Sequence, residues 1–80
     1  MVEAFMLIQT EVGRAEIVAE TLASLPGVLS SEYVTGPYDV IVRIGAATAA
    51  ELTSTIAPSV QQVTGITRTL TCPVAGGALP

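Results

Sequence analysis

The sequence contains no histidine, lysine or tryptophan, and it has a single cysteine, Cys72. Histidine is the most common general base and metal ligand in proteins, so its absence argues against a histidine-dependent enzyme and against most metal sites. One cysteine cannot form an internal disulfide, and alone it makes no metal centre. We therefore expect no catalytic residue, no metal and no cofactor, and we expect a cytoplasmic protein.

Positive charge is also scarce. Three of the 80 residues are basic and seven are acidic, which gives a formal net charge of −4. The basic residues Arg14, Arg43 and Arg68 are scattered along the chain. Because nucleic-acid binding needs clustered basic residues that neutralise phosphates, we expect no direct binding to DNA or RNA.

Long apolar runs are missing as well. No run reaches the roughly 18 residues that a membrane-spanning helix needs. The start, Met-Val-Glu, has no basic segment of the kind that opens a signal peptide. Neither membrane insertion nor secretion is therefore expected.

Apolar residues are in excess. They make up 50% of the chain, and only 12% of its residues are charged, whereas charged residues make up about 25% of a typical soluble domain. A domain this small buries only about 60–65% of its unfolded surface when it folds alone. We therefore expect other copies of the chain to cover part of it. Residues 1–75 are predicted to form one domain, and residues 76–80 a flexible tail.

Hydrophobic periodicity predicts four strands and two helices in the order βαββαβ. The predicted strands are residues 2–11, 28–35, 38–45 and 66–74, and the first helix is residues 14–25. The second helix begins after Thr48, where Glu51 is placed to complete a capping box. Pro58 lies inside its apolar pattern and is expected to kink or split the helix near residues 54–57.

This order predicts an α+β, ferredoxin-like sandwich: a four-stranded antiparallel sheet with two helices on one face. The first and third strands are the most apolar and should be central. The uncovered face should carry Phe5, Leu7 and Ile41, with Tyr33 or Leu29 beside them. An exposed apolar patch of this kind usually marks an interface, which predicts a dimer that packs sheet on sheet.

Three motifs resemble those of one protein family. The segment Val34-Thr35-Gly36-Pro37-Tyr38-Asp39 resembles the V-T-G-x-Y-D hairpin of the Lrp/AsnC transcription regulators. Residues 25–28, Leu-Pro-Gly-Val, resemble the family's L-P-x-V helix exit, and residues 65–71 resemble its G-V-x-R-T-x-T final strand. The resemblance spans residues 3–74 and is to the C-terminal effector domain, also called the RAM domain.

The resemblance implies a small-molecule sensor, usually of amino acids, built from dimers that assemble into rings. The regulators carry a helix-turn-helix domain before this one, whereas this chain starts at the first strand. It thus looks like a stand-alone effector domain. Any effect on transcription would then be indirect, through a partner such as a full-length Lrp/AsnC regulator.

The predicted ligand site centres on the hairpin and comprises Tyr33, Thr35, Gly36, Tyr38 and Asp39. Gly36 suits a turn that needs positive φ, and a bare backbone also lets a ligand approach. Asp39 could cap the turn's own amides or accept a ligand's ammonium group. The two tyrosines could pack in the core or an interface, or wall the pocket. In the resembled family this hairpin lies at the effector cleft between dimers.

The last strand contributes a second, weaker set of candidates: Thr69, Thr71 and Cys72. The threonines could simply fill a strand, or they could complete the cleft from a neighbouring dimer. Cys72 is expected to be a small buried or half-buried thiol rather than a redox centre.

Two other functions stay open. An ACT-like regulatory module of an enzyme shares the βαββαβ order and also binds amino acids. Small enzymes of the dimeric α+β barrel type share both the topology and the sheet-on-sheet dimer, but they often work with histidine, which this chain lacks.

Overall fold

The computed structural model describes residues 1–75 and has the predicted βαββαβ order. Its strands are β1 (Val2–Thr10), β2 (Val28–Tyr33), β3 (Val40–Ala46) and β4 (Ile66–Pro73). They form one antiparallel sheet in the order β2-β3-β1-β4. The prediction that the first and third strands are central is therefore confirmed. The tail predicted at residues 76–80 lies outside the described residues.

Alternation along the central strands separates two sheet faces. In β1, Ala4, Met6 and Ile8 are fully buried, whereas Phe5 is exposed and Leu7 is half-buried. The buried face packs under both helices and forms one core. That core consists of Ala4, Met6, Ile8, Val18, Ala19, Leu22, Val40, Val42, Ile44, Ala46, Leu52, Ile56, Ala57 and Val60.

The first helix, α1 (Ala15–Ala23), is shorter at each end than the predicted 14–25. Its apolar stripe places Val18 and Leu22 in the core, as the periodicity predicts. The Ser31 hydroxyl of β2 donates a 2.8 Å hydrogen bond to the carbonyl of Ala19, which fixes α1 against the edge of the sheet.

The second helix, α2 (residues 49–61), is continuous through its proline, so of the predicted kink or split near residues 54–57 the split is wrong, and an irregular turn forms there instead. Short α-helical segments, Ala49–Glu51 and Ala57–Gln61, flank a π-helical turn at Leu52–Ile56. The N–H of Ala57 donates to the carbonyl of Leu52, five residues back. This wider turn comes directly before Pro58, which has no N–H to give, so the helix absorbs the proline without a break.

Hydroxyl groups support the start of the helix and the first part of that wide turn. The side chain of Thr48 accepts a 3.1 Å bond from the Glu51 N–H, which confirms the predicted cap; the reciprocal bond of a capping box is absent among residues 1–75. Ser54 donates to the carbonyl of Ala50 at 2.6 Å, and Thr53 donates to the carbonyl of Ala49 at 3.1 Å. These bonds satisfy carbonyls where the regular ladder changes register.

The sheet face that no helix covers is called the open face below; it carries Phe5, Leu7, Ile41, Arg43 and Leu70. Phe5 and Leu70 are 39% and 48% exposed. Arg43 pairs with Glu3, with its Nε 2.6 Å from Oε1, and its guanidinium carbon lies 5.5 Å from the centre of the Phe5 ring. The open face of the central strands is thus apolar except for one ion pair, in which the two charges neutralise each other.

The expectation that Tyr33 or Leu29 lies beside this patch is met by Leu29. Leu29 lies over Gly45 on the open face, as expected from alternation, because it follows Val28, which pairs with buried Ile44. Tyr33 pairs with buried Val40. It therefore lies on the sheet face that the helices cover, called the helix side below, and not on the open face. Among residues 1–75, no helix has the length and apolar character needed to cross a membrane.

Candidate functional site

A cleft of about 500 Å³, called the hairpin cleft below, opens at the end of the sheet where β2 leads into β3. The hairpin contributes Tyr33, Thr35, Gly36 and Asp39 to its wall. Thr10 and Glu11 at the end of β1, and Ala15 and Glu16 at the start of α1, form the opposite side. Four of the five predicted hairpin residues therefore meet around one cavity.

The hairpin loop is wider than the two-residue turn, residues 36–37, that the predicted strands 28–35 and 38–45 leave between them. Tyr33 and Val40 form the last strand pair, and the Val34 N–H then donates to the Asp39 carbonyl at 2.9 Å. Gly36 has φ of +144°, a conformation that side chains rarely adopt, and a Cβ there would meet no atom within 4 Å. The glycine is therefore required by the backbone, and the surrounding space is open.

Asp39 fixes the hairpin to β1. Its N–H donates to the carbonyl of Ile8 at 2.8 Å, and its Oδ2 accepts the Thr10 N–H at 2.8 Å. Asp39 therefore caps the neighbouring strand rather than the amides of its own turn. Its Oδ1 accepts no hydrogen bond from residues 1–75, so the half-buried carboxylate still has acceptor capacity toward the cleft.

The two tyrosines have different positions. Tyr33 is 59% exposed and forms part of the cleft wall. Tyr38 is half-buried and does not line the cleft. On the other side of the sheet, Gln9 donates a 3.0 Å hydrogen bond to the Pro37 carbonyl, which holds the loop beside β1.

The candidates from the last strand do not join the hairpin within one chain. Thr69 and Thr71 pair with Ile8 and Met6 and so lie on the helix side, where Thr69 accepts a 3.2 Å bond from Gln61. Cys72 pairs with Phe5 and lies on the open face. It is exposed, so the expectation of a buried or half-buried thiol is wrong; β4 is an edge strand and nothing in residues 1–75 covers that face.

Two acidic residues of the cleft, Glu11 and Glu16, are absent from the predicted site. The sequence identifies Glu16 only as an acid at the start of a helix, and Glu11 only as the end of a strand. The topology is the signal that could have identified Glu11 and Glu16, because the β1–α1 connection and the β2–β3 hairpin leave the sheet at the same end. Among residues 1–75, no three His, Cys, Asp or Glu side chains are grouped so as to hold a metal ion.

A second, smaller cleft of about 370 Å³ lies on the other side of α1. Arg14, Ile17 and Thr21 of the α1 region face Gln62 and Val63 across it. It contains no predicted site residue, and Arg14 is the charged residue among those that line it.

Comparison with known proteins adds a family match. The family model described as the Lrp/AsnC ligand binding domain matches residues 3–76. The solved structure of FFRP-DM1 is 32% identical with a TM-score of 0.84, and the alignment covers 92% of this chain and 99% of that one. TTHA0845 from Thermus thermophilus is 31% identical with a TM-score of 0.82, covering 92% of each chain. No curated protein matches this chain.

A longer regulator shares the fold at lower identity. Transcriptional regulator NMB0573 of Neisseria meningitidis, solved as a complex with L-Met, has a TM-score of 0.77 and 16% identity. The alignment covers 99% of this chain and 53% of that regulator.

Proposed function

The chain belongs to the Lrp/AsnC ligand-binding domain family, and from that premise we propose that it is a non-enzymatic effector domain that binds a free amino acid in the hairpin cleft. We further propose that it forms dimers through the open face, assembles further into rings of dimers, and acts in the cytoplasm. The observation that carries the ligand proposal is the cleft itself, whose lining includes the exposed Tyr33 and Asp39, a carboxylate that retains an acceptor oxygen.

The cleft offers complementary groups for both charges of an amino acid. The Asp39 carboxylate is suited to accept an ammonium group. The first helical bond of α1 runs from the Val18 N–H to the Arg14 carbonyl, so the amides of residues 15–17 have no helical partner. Ala15 and Glu16 line the cleft. We propose that these amides receive the ligand's carboxylate.

The relatives support an amino acid as the ligand class. The family is described by ligand binding, and the N. meningitidis regulator of the same fold was solved with L-Met. A cleft of about 500 Å³ falls within the roughly 300–1,000 Å³ usual for small-molecule sites.

The Asp39→Asn variant tests the ligand proposal. The amide oxygen of asparagine can still accept the Thr10 N–H, so the hairpin keeps its anchor, whereas the charge that would hold the ammonium group is lost. We expect amino-acid binding to weaken by roughly 1.5–3 kcal/mol, the range for a hydrogen bond to a charged group. Isothermal titration calorimetry with a panel of the common amino acids measures this loss.

The matched control is Glu20→Gln, which makes the same charge change on α1 outside the cleft. It should leave binding unchanged. Equal affinities for wild type and Asp39→Asn would remove Asp39 from the site. An absence of heat with every amino acid and the wild type would refute amino-acid binding.

On this proposal, the chain affects transcription only indirectly, by acting on a partner such as a full-length Lrp/AsnC regulator. We expect the chain alone not to bind random duplex DNA at physiological salt, because its net charge is −4 and its three arginines form no basic stripe. An electrophoretic mobility shift assay checks this expectation. A salt-sensitive shift at micromolar protein would contradict it.

A further inference from the structure

The charged side chains along the hairpin cleft all have the same sign. Glu11, Glu16 and Asp39 contribute three carboxylates. None of the three arginines lies along the cleft. Arg43 pairs with Glu3 on the open face, Arg14 lines the second cleft, and Arg68 lies in β4 opposite Gln9.

These carboxylates are not neutralised within the described chain. The only ion pair among residues 1–75 is the one between Arg43 and Glu3. The side chains of Glu11 and Glu16 accept no hydrogen bond there, and Asp39 uses one oxygen for Thr10. The backbone of Glu11 is fixed by two hydrogen bonds: its N–H donates to the Gly65 carbonyl, and its carbonyl accepts from the Arg14 N–H. The loop therefore fixes the position of Glu11 while its charge stays available.

We propose that the cleft selects cationic amino acids, those with an amine or guanidinium side chain, over neutral and acidic ones. This inference rests on the amino-acid site proposed above and names its ligand class. One carboxylate suffices for the α-ammonium group, and the others then face whatever the ligand's side chain carries. A second positive charge is attracted by them, whereas a carboxylate is repelled.

The wall of the cleft also suits a long side chain with a charged end. The Tyr33 ring is 59% exposed at the cleft, and Val34 lies next to it. Apolar stems of lysine or arginine pack on such surfaces while their charged heads reach toward polar groups, and an aromatic face attracts a nearby cation.

The test compares lysine with norleucine, whose side chain has the same aliphatic stem but no amine. Calorimetry on the wild-type chain should show that lysine binds several-fold more tightly than norleucine. This difference in affinity should become smaller as the salt concentration is raised. Glutamate should bind more weakly than both. Glu11→Gln and Glu16→Gln should each weaken lysine binding about two- to fivefold and change norleucine binding less than lysine binding, whereas the control Glu20→Gln, outside the cleft, should affect neither.

The outcomes separate this inference from the proposed function. Norleucine that binds as tightly as lysine would overturn charge selection and leave the amino-acid site standing. Failure of every amino acid to bind would overturn both. Cadaverine, which is lysine without its carboxylate, should bind more weakly; equal affinity would assign the cleft to diamines instead of amino acids.

Discussion

Replacing Ile41 by aspartate should dissociate the dimer that we propose to form through the open face. Ile41 lies on central strand β3 opposite Leu7, half-buried and pointing away from the core. An unpaired charge buried in an interface costs on the order of 3–5 kcal/mol. The dissociation constant of the dimer should therefore rise by roughly a hundredfold to several thousandfold. Light scattering over a range of protein concentrations measures the change.

The control is Thr55→Asp, which adds the same charge on the exposed surface of α2. It should leave the dimer intact, and circular dichroism should show that both variants remain folded. A wild-type chain that is monomeric at micromolar concentration would refute the dimer. An Ile41→Asp chain that stays dimeric would move the interface away from the open face.

The Gly27→Ala variant should lower the free energy of unfolding by about 2–5 kcal/mol. Gly27, in the loop between α1 and β2, has φ of +86°, which costs a residue with a Cβ roughly 1–2 kcal/mol. The new Cβ would also lie 2.6 Å from Cδ1 and 2.9 Å from Cγ2 of buried Ile56. Overpacking of a core costs typically about 1–3 kcal/mol. Urea unfolding followed by circular dichroism measures the sum.

A matched variant separates backbone strain from packing. Gly13 has nearly the same conformation, with φ of +80°, but a Cβ there would meet nothing within 4 Å. Gly13→Ala should therefore lose only the backbone part, about 1–2 kcal/mol. If the two variants lose the same stability, close packing between α2 and the Gly27 loop contributes nothing.

The strand order and the two sheet faces could be predicted because they depend on local patterns. Alternation along β1 separates Met6 from Phe5 without knowledge of any partner strand. The polar composition of β2 and the proline at the end of β4 identify the edges. These signals lie within single segments, and the topology rules then leave few arrangements.

The cleft could be predicted only in part because it depends on contacts distant in sequence. The hairpin motif identifies Asp39, but its partner Thr10 is 29 residues away and belongs to another strand. Glu11 and Glu16 enter the site through the same long-range pairing. Simple alternation puts Tyr33 on the wrong face because a bulge in β2 changes the alternation between Val28 and Ser30.

The candidates of the last strand show a different limit. Their faces follow from pairing with β1, which puts Thr69 and Cys72 on opposite sides of the sheet. A contribution of these residues to a neighbour's cleft is a property of an assembly, so a single chain's sequence pattern does not specify it. That contribution stays a prediction of the ring arrangement proposed above.

The π-helical turn in α2 determines how this helix can be aligned with others. A π turn contains one residue more than the α turn that it replaces, so the residues after it are out of phase with a regular helix. Ala57 and Val60 are buried after the turn, as Leu52 is at its start. A position-by-position alignment with an uninterrupted α-helix thus needs a one-residue gap within Leu52–Ile56. Without that gap, the core positions after the turn would be matched to surface positions.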